Sequence, residues 1–142
     1  MSLSRHGRPH DIRMAGDHDP EMIMLTIDGR RLEIRVTERM PQAETAILIP
    51  TYRGEDLCAL AIDAIRRFTV EGAYSIWVID TASGWPWRAR LHRLGVNVIE
   101  IRTRFWPRTE RARRHGSYAN GVALEAGTRL FNAAWWFVMH ND

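Results

Sequence analysis

The feature that most constrains the fold is an apolar run at residues 46–49 that ends at Pro50 and is followed by Thr51-Tyr52-Arg53. Such a run is typical of a strand buried on both faces, with a polar loop at its carboxyl end. A strand followed by an amphipathic helix is the opening of a βαβ unit, which this stretch therefore predicts. The helix is indicated by apolar residues at the spacing of one helix face, namely Leu57, Leu60, Ala61, Ala64, Ile65 and Phe68.

Three later segments have the character of strands. Residues 74–80 and 134–139 are apolar runs, which predicts strands buried on both faces. Residues 96–101 predict a strand with one polar residue on each face, Asn97 and Glu100, so we expect it to lie nearer a sheet edge than the first strand.

Two further helices are predicted between these strands. A short one fits residues 87–94, and a longer one fits residues 116–131. The inner face of the longer helix is expected to comprise Ala119, Val122, Ala123, Ala126, Leu130 and Phe131. The predicted fold class is therefore α/β, with a mostly parallel, Rossmann-like sheet, flanking helices, and the first and last strands adjacent at its centre.

The chain ahead of the first buried strand divides into two parts. Residues 1–20 have no hydrophobic periodicity and contain two prolines, which predicts a disordered tail. Residues 21–45 contain two alternating segments separated by Asp28-Gly29, which predicts an accessory β-hairpin laid on the main sheet, followed by a linker. Residues 46–142 then form one α/β domain.

Composition limits the classes of protein that fit. All 20 basic residues are arginine, and the net charge is only +3, so a solvated charged surface fits better than a nucleic-acid footprint. One cysteine, Cys58, excludes a disulfide framework and is expected to pack inside the protein. We find no signal peptide and no apolar run of about 18 residues that could span a membrane, so we expect a cytoplasmic protein.

Polar groups follow each predicted parallel strand, near Tyr52, Asp80, Ile101 and His140. Because parallel strands end at the same edge of a sheet, these groups should gather on one rim. Asp80 and Asp142 beside an arginine-rich loop suit a phosphorylated ligand with Mg²⁺ or Mn²⁺. Two alternatives stay open: Asp80 caps the turn after its strand, and Asp142 is a frayed terminus.

From residue 46 to residue 142 the chain resembles the family 2 glycosyltransferases of the GT-A fold, which use nucleotide-diphosphate sugars. The likeness rests on four motifs in the same order and at fitting intervals: Ile49-Pro50-Thr51-Tyr52, Val78-Ile79-Asp80 followed by Thr81-Ala82-Ser83-Gly84, Gly116-Ser117-Tyr118-Ala119-Asn120-Gly121, and Phe137-Val138-Met139-His140-Asn141-Asp142.

The resemblance implies a role for each matching residue. Asp80 would bind the base or ribose, and Ser83 would lie in the adjoining loop. Asn120 would face the donor, and Asp142 would match the last acid of the D-x-D motif that holds Mn²⁺ or Mg²⁺ on the diphosphate. The nucleotide-base pocket would be lined by Pro50, Thr51 and Tyr52.

The resemblance covers only the donor-binding half of such an enzyme. His140 stands where the D-x-D motif begins with an aspartate, and the acceptor site and catalytic base lie beyond the part of the family that these residues match. Sugar transfer to an unknown acceptor is therefore expected only if other segments or a partner chain complete the site. The incomplete sheet would leave an exposed edge that favours a homo-oligomer.

Two other functions compete with this interpretation. Residues 102–114 carry six arginines with Phe105 and Trp106 between them, a composition that can bind single-stranded RNA by phosphate contacts and stacking. The third possibility is an inactive glycosyltransferase remnant that folds without a complete site.

Overall fold

The computed structural model describes residues 20–70, 72–105 and 116–140. Apart from Pro20, the tail predicted over residues 1–20 lies outside these ranges, as do Trp106 and Asp142. The elements in chain order are β1 (Glu21–Ile27), β2 (Arg30–Thr37), β3 (Thr45–Thr51), α1 (Glu55–Phe68), β4 (Tyr74–Thr81), α2 (Trp87–Leu91), a 3₁₀ turn (His92–Leu94), β5 (Asn97–Ile101), α3 (Gly116–Leu130) and β6 (Trp135–Val138).

The six strands form one mixed sheet in the order β1-β2-β5-β4-β3-β6. The four strands from β5 to β6 are parallel, as predicted, whereas β1 and β2 add an antiparallel end. The predicted hairpin is present, but it extends the sheet instead of lying on it, because β2 pairs with β5 from Ile34↔Ile101 to Thr37↔Val98. Pairing of this kind covers an otherwise open strand edge.

The helices cover both faces of the sheet. Buried residues of α1 and α2, such as Ile62 and Leu91, share a core with Ile49 and Val78. Buried residues of α3 share a separate core with the alternate residues of the same strands, among them Leu48, Trp77 and Ile79. Since alternate residues of a strand point to opposite faces, α3 lies on the face opposite α1 and α2.

The order of the parallel strands creates a topological switch point at one position. From β3 the chain passes through α1 to β4 and through α2 to β5, and it then returns through α3 to β6 on the other side of β3. The direction of winding therefore reverses between β3 and β6. In open α/β sheets, the carboxyl ends of the strands form a ligand-binding crevice at such a switch point.

Strand β5 is interior, not near an edge as the sequence predicted. All five of its residues are buried, because β2 covers the side of β5 away from β4. The predicted division of its faces is correct: Val98 belongs to the core under α1 and α2, and Ile99 and Ile101 belong to the core under α3.

The predicted inner face of α1 is largely wrong. Its buried residues are Cys58, Ile62 and Ile65, whereas Leu60 and Phe68 are 67% and 87% exposed. The apolar residues of α1 span a wider arc than the sheet can cover, and the sheet contacts the part of that arc that includes Cys58. Burial of this cysteine agrees with the packing role predicted for it.

Strand β6 was predicted to be buried on both faces, and it is not. It pairs with β3, as predicted, but lies at the edge of the sheet and not at its centre. Trp135 and Phe137 are 70% and 56% exposed, because α1, which lies on their face of the sheet, covers them only in part. None of the described helices is long and apolar enough to cross a membrane.

Candidate functional site

The loop after β3 carries the first group of predicted site residues. Pro50 and Thr51 are buried at the end of the strand, and Tyr52 is partly exposed beyond them. The guanidinium of Arg53 lies 5.1 Å from the centre of the Tyr52 ring and 4.3 Å from that of Trp87. A cation between two aromatic rings ties the end of β3 to the start of α2 and places positive charge at the rim.

The loop after β4 is bonded to the loop after β3. The Thr81 hydroxyl donates to the Thr51 carbonyl oxygen at 3.0 Å, and the Arg53 N–H donates to Ser83 Oγ at 2.8 Å. The two loops therefore form one continuous rim, as expected for neighbouring parallel strands.

Asp80 caps the turn that follows its strand. Its carboxylate accepts hydrogen bonds from the Ser83 N–H, at 3.1 Å, and from the Ser83 hydroxyl, and its side chain is fully buried. The capping role left open by the sequence is thus observed. Burial is the main reason that the pKa of Asp80 rises to about 6; the Ser83 hydrogen bonds lower it, and Glu100 raises it further.

Asn120 is half-buried in the first turns of α3. That part of α3 lies at the same rim, because α3 leads from the carboxyl end of β5 toward the start of β6. The Tyr118 hydroxyl donates to Asp28 Oδ2 at 2.7 Å, which holds the helix against the β1–β2 turn. Since α3 packs on the face opposite Asp80, the structure places Asn120 and Asp80 on different sides of the rim.

The predicted metal ligand, Asp142, lies outside the described residues. The chain leading to it continues beside β3, because the Met139 N–H donates to the Leu48 carbonyl oxygen at 2.9 Å. Within the described ranges no group of three or more His, Cys, Asp or Glu residues could hold a metal ion.

Phe105, which the RNA-binding alternative uses for stacking, is buried in the core under α3. Its ring lies 6.2 Å from that of Tyr118, and its carbonyl oxygen accepts from the Arg30 guanidinium. A ring held in this way is not available to stack on a base.

A cluster of charged residues lies on the other side of Asp80 from the switch point between β3 and β6. Glu100 is paired with Asp80 across β4 and β5 and with Arg35 across β2 and β5, so all three side chains point to the same face. Arg88 of α2 and His92 of the following 3₁₀ turn also approach the Glu100 carboxylate, at 3.9 Å and 3.6 Å.

These neighbours determine the ionisation of Glu100. Burial favours its neutral form, but His92 and then Arg35 and Arg88 favour the charged form by more, so the pKa of Glu100 lies below its ordinary value. Sequence reasoning missed this cluster. Its signal was an acid within an apolar strand, but its partners come from β2 and α2, whose positions depend on the pairing of β2 with β5.

Comparisons of the chain with protein-family models, with curated proteins and with solved structures gave no match.

Proposed function

We propose that this chain is the donor-binding part of a glycosyltransferase of the GT-A type, family 2, and binds a nucleotide-diphosphate sugar in the crevice between β3 and β6. Sugar transfer to an acceptor would follow once other segments or a partner complete the site. The observation that carries the proposal is the reversal of winding between β3 and β6, since α/β sheets bind nucleotides at such points.

The rim beside this crevice has chemistry that suits a nucleoside. Tyr52 offers a partly exposed ring on which a base can stack, next to the Arg53 guanidinium. Thr51 and Pro50 would form the floor of the base pocket. Asp80 and Ser83 would form its wall, where the carboxylate lone pairs left over from the turn can accept from the base or ribose.

The diphosphate would lie toward the end of β6 and the start of α3. In this proposal Asp142 holds Mn²⁺ or Mg²⁺, which neutralises the phosphate oxygens, and Asn120 faces the sugar from the other side of the rim. The hard oxygen ligands that these ions prefer are available from an aspartate and a diphosphate.

The test is the thermal stability of the full chain with UDP, GDP, ADP and CDP, each with and without Mn²⁺. A ligand that binds the folded state raises the melting temperature by mass action. We expect a metal-dependent rise with one base. We also expect Tyr52→Ala to abolish the rise and Tyr52→Phe, which keeps the ring, to preserve it. No rise with any nucleotide in the folded chain would refute the proposal and favour an inactive remnant.

A further inference from the structure

The Glu100 cluster borders a pocket that the proposed nucleotide site does not use. The pocket has a volume of about 260 Å³ and lies between α2 and strands β2 and β5. Two strands, β4 and β3, separate β5 from the crevice at β6. The pocket is lined mainly by Arg35, Trp85, Arg88, His92, Glu100 and Arg102.

Glu100 contributes a carboxylate to the wall of this pocket, and one of its oxygens has no hydrogen-bond donor among the described residues. Its side chain is only 4% exposed, and Oε2 accepts no hydrogen bond within the part of the chain that the structure describes. Arg35 Nε and His92 Nε2 lie 3.7 Å and 3.6 Å from this oxygen, beyond hydrogen-bond distance. Most buried carboxylates are hydrogen-bonded, so a ligand that donates to the Glu100 carboxylate would complete its contacts.

The His92 ring adds a donor that faces Glu100. Arg39 Nη2 lies 3.4 Å from His92 Nδ1, and a guanidinium can only donate, so Nδ1 is the acceptor. The ring hydrogen is therefore on Nε2, which faces Glu100. The contact with Arg39 fixes the orientation of the His92 ring. Nitrogens of Arg35, Arg88 and His92 therefore lie on several sides of the Glu100 carboxylate.

The pocket carries an excess of positive charge. Three guanidiniums, those of Arg35, Arg88 and Arg102, line the pocket together with the single carboxylate of Glu100. Arg35 Nε and Arg88 Nε lie 3.7 Å and 3.9 Å from the Glu100 carboxylate. Both distances exceed that of a hydrogen bond, so these planar groups can still bind an oxyanion.

We propose that this pocket binds a phosphate group in its protonated form, as inorganic phosphate or as the monoester of a small molecule. Such a group satisfies both features of the pocket. Its unprotonated oxygens accept from Arg35 and Arg88, and an O–H of the phosphate donates to the Glu100 carboxylate. Sulfate has a similar size and shape but carries no proton near neutral pH, so it would place a bare oxygen against the Glu100 carboxylate.

The test compares anions by isothermal titration of the full chain at about pH 6, where a phosphate monoester retains a proton on part of its molecules. The probes are inorganic phosphate, glycerol phosphate and sulfate. A hydrogen bond to a charged group is worth about a factor of ten or more, so phosphate should bind at least about tenfold more tightly than sulfate. Binding of inorganic phosphate alone would identify the free anion, and binding of both phosphates would identify a monoester site.

Three variants make the test specific. Glu100→Gln keeps the shape of the side chain but can donate to sulfate, so the preference for phosphate should disappear. Arg88→Gln should weaken both anions, whereas Arg67→Gln, which removes an exposed arginine paired with Asp63 on α1, should weaken neither. Melting temperatures show that each variant is folded. Equal binding of phosphate and sulfate by the unchanged chain, or no binding of either, would overturn the proposal.

Discussion

Replacement of Asp80 by asparagine should change how the stability of the protein depends on pH. The pKa of this buried carboxyl is about 6 in the folded protein, against 3.8 for a free side chain. A difference of about 2 pKa units corresponds to about 3 kcal/mol. As the pH rises, Asp80 ionises at a lower pH in the unfolded chain than in the folded protein. This contribution therefore favours the folded state most below about pH 4 and declines until the pH has passed about 6.

About 1.4 kcal/mol of this decline falls between about pH 5 and pH 7.5, the range in which it is measured most cleanly. Glu100 affects stability in a lower pH range. Its pKa in the folded protein lies below 4.5, and its contribution to stability is lost as the pH falls through that pKa. The amide introduced by Asp80→Asn does not titrate. Between about pH 5 and pH 7.5, the free energy of unfolding of the variant should therefore rise by about 1.4 kcal/mol relative to that of the original chain.

The assay is urea unfolding of both chains at several pH values in this range. The asparagine keeps only one of the two acceptor roles toward Ser83, but that loss is independent of pH and shifts the whole curve. Asp63→Asn, on the exposed side of α1, is the matched control and should change stability by less than about 0.5 kcal/mol at every pH. If the curves of Asp80→Asn and the original chain run parallel, burial does not control the ionisation of Asp80.

Two further predictions follow from the packing. In Gly127→Ala the new Cβ would lie 3.0 Å from Ile79 Cδ1, so this clash should cancel much of the helix-propensity gain of up to about 1 kcal/mol. Ile79→Val removes that atom, and a double-mutant cycle by urea unfolding should therefore show favourable coupling; strict additivity would contradict this. The edge strand β6 has no charged residue, so we expect the chain to self-associate at high concentration in sedimentation experiments, and Trp135→Glu should reduce association. Trp85→Glu, at an equally exposed tryptophan away from β6, should not reduce it, and a monomer at all concentrations would be the contrary result.

The sequence predicted the elements better than their surroundings. Strands β3 and β4 are apolar runs that only a buried position explains, and the spacing along α3 correctly identified its inner face. The errors concern contacts with distant segments. Strand β5 was placed too near an edge because nothing local indicates that β2 pairs with it, and α1 has more apolar residues than the sheet can cover.

The candidate site divides in the same way. Two adjacent parallel strands, β3 and β4, bring together the residues at their carboxyl ends, namely Thr51, Tyr52, Asp80 and Ser83. This proximity could be predicted, because the two strands are consecutive in the βαβ unit that the sequence indicates. The Glu100 cluster required the antiparallel register of β2 against β5, which sets Arg35 opposite Glu100. A single charged residue in an apolar strand indicates that a partner exists, but its identity depends on tertiary structure.

Asp80 and Glu100 are neighbours in the same sheet, yet their pKa values move in opposite directions. Both carboxyls are buried, so burial alone cannot separate them. The difference comes from the groups around each carboxyl: Arg35, Arg88 and the His92 ring lie around Glu100, whereas Asp80 is held mainly by Ser83. In the interval between the two pKa values Glu100 is ionised and Asp80 is largely protonated. Above the Asp80 pKa of about 6 both carboxylates only accept hydrogen bonds, which is the state in which Asp80 would accept from the nucleoside of the proposed site.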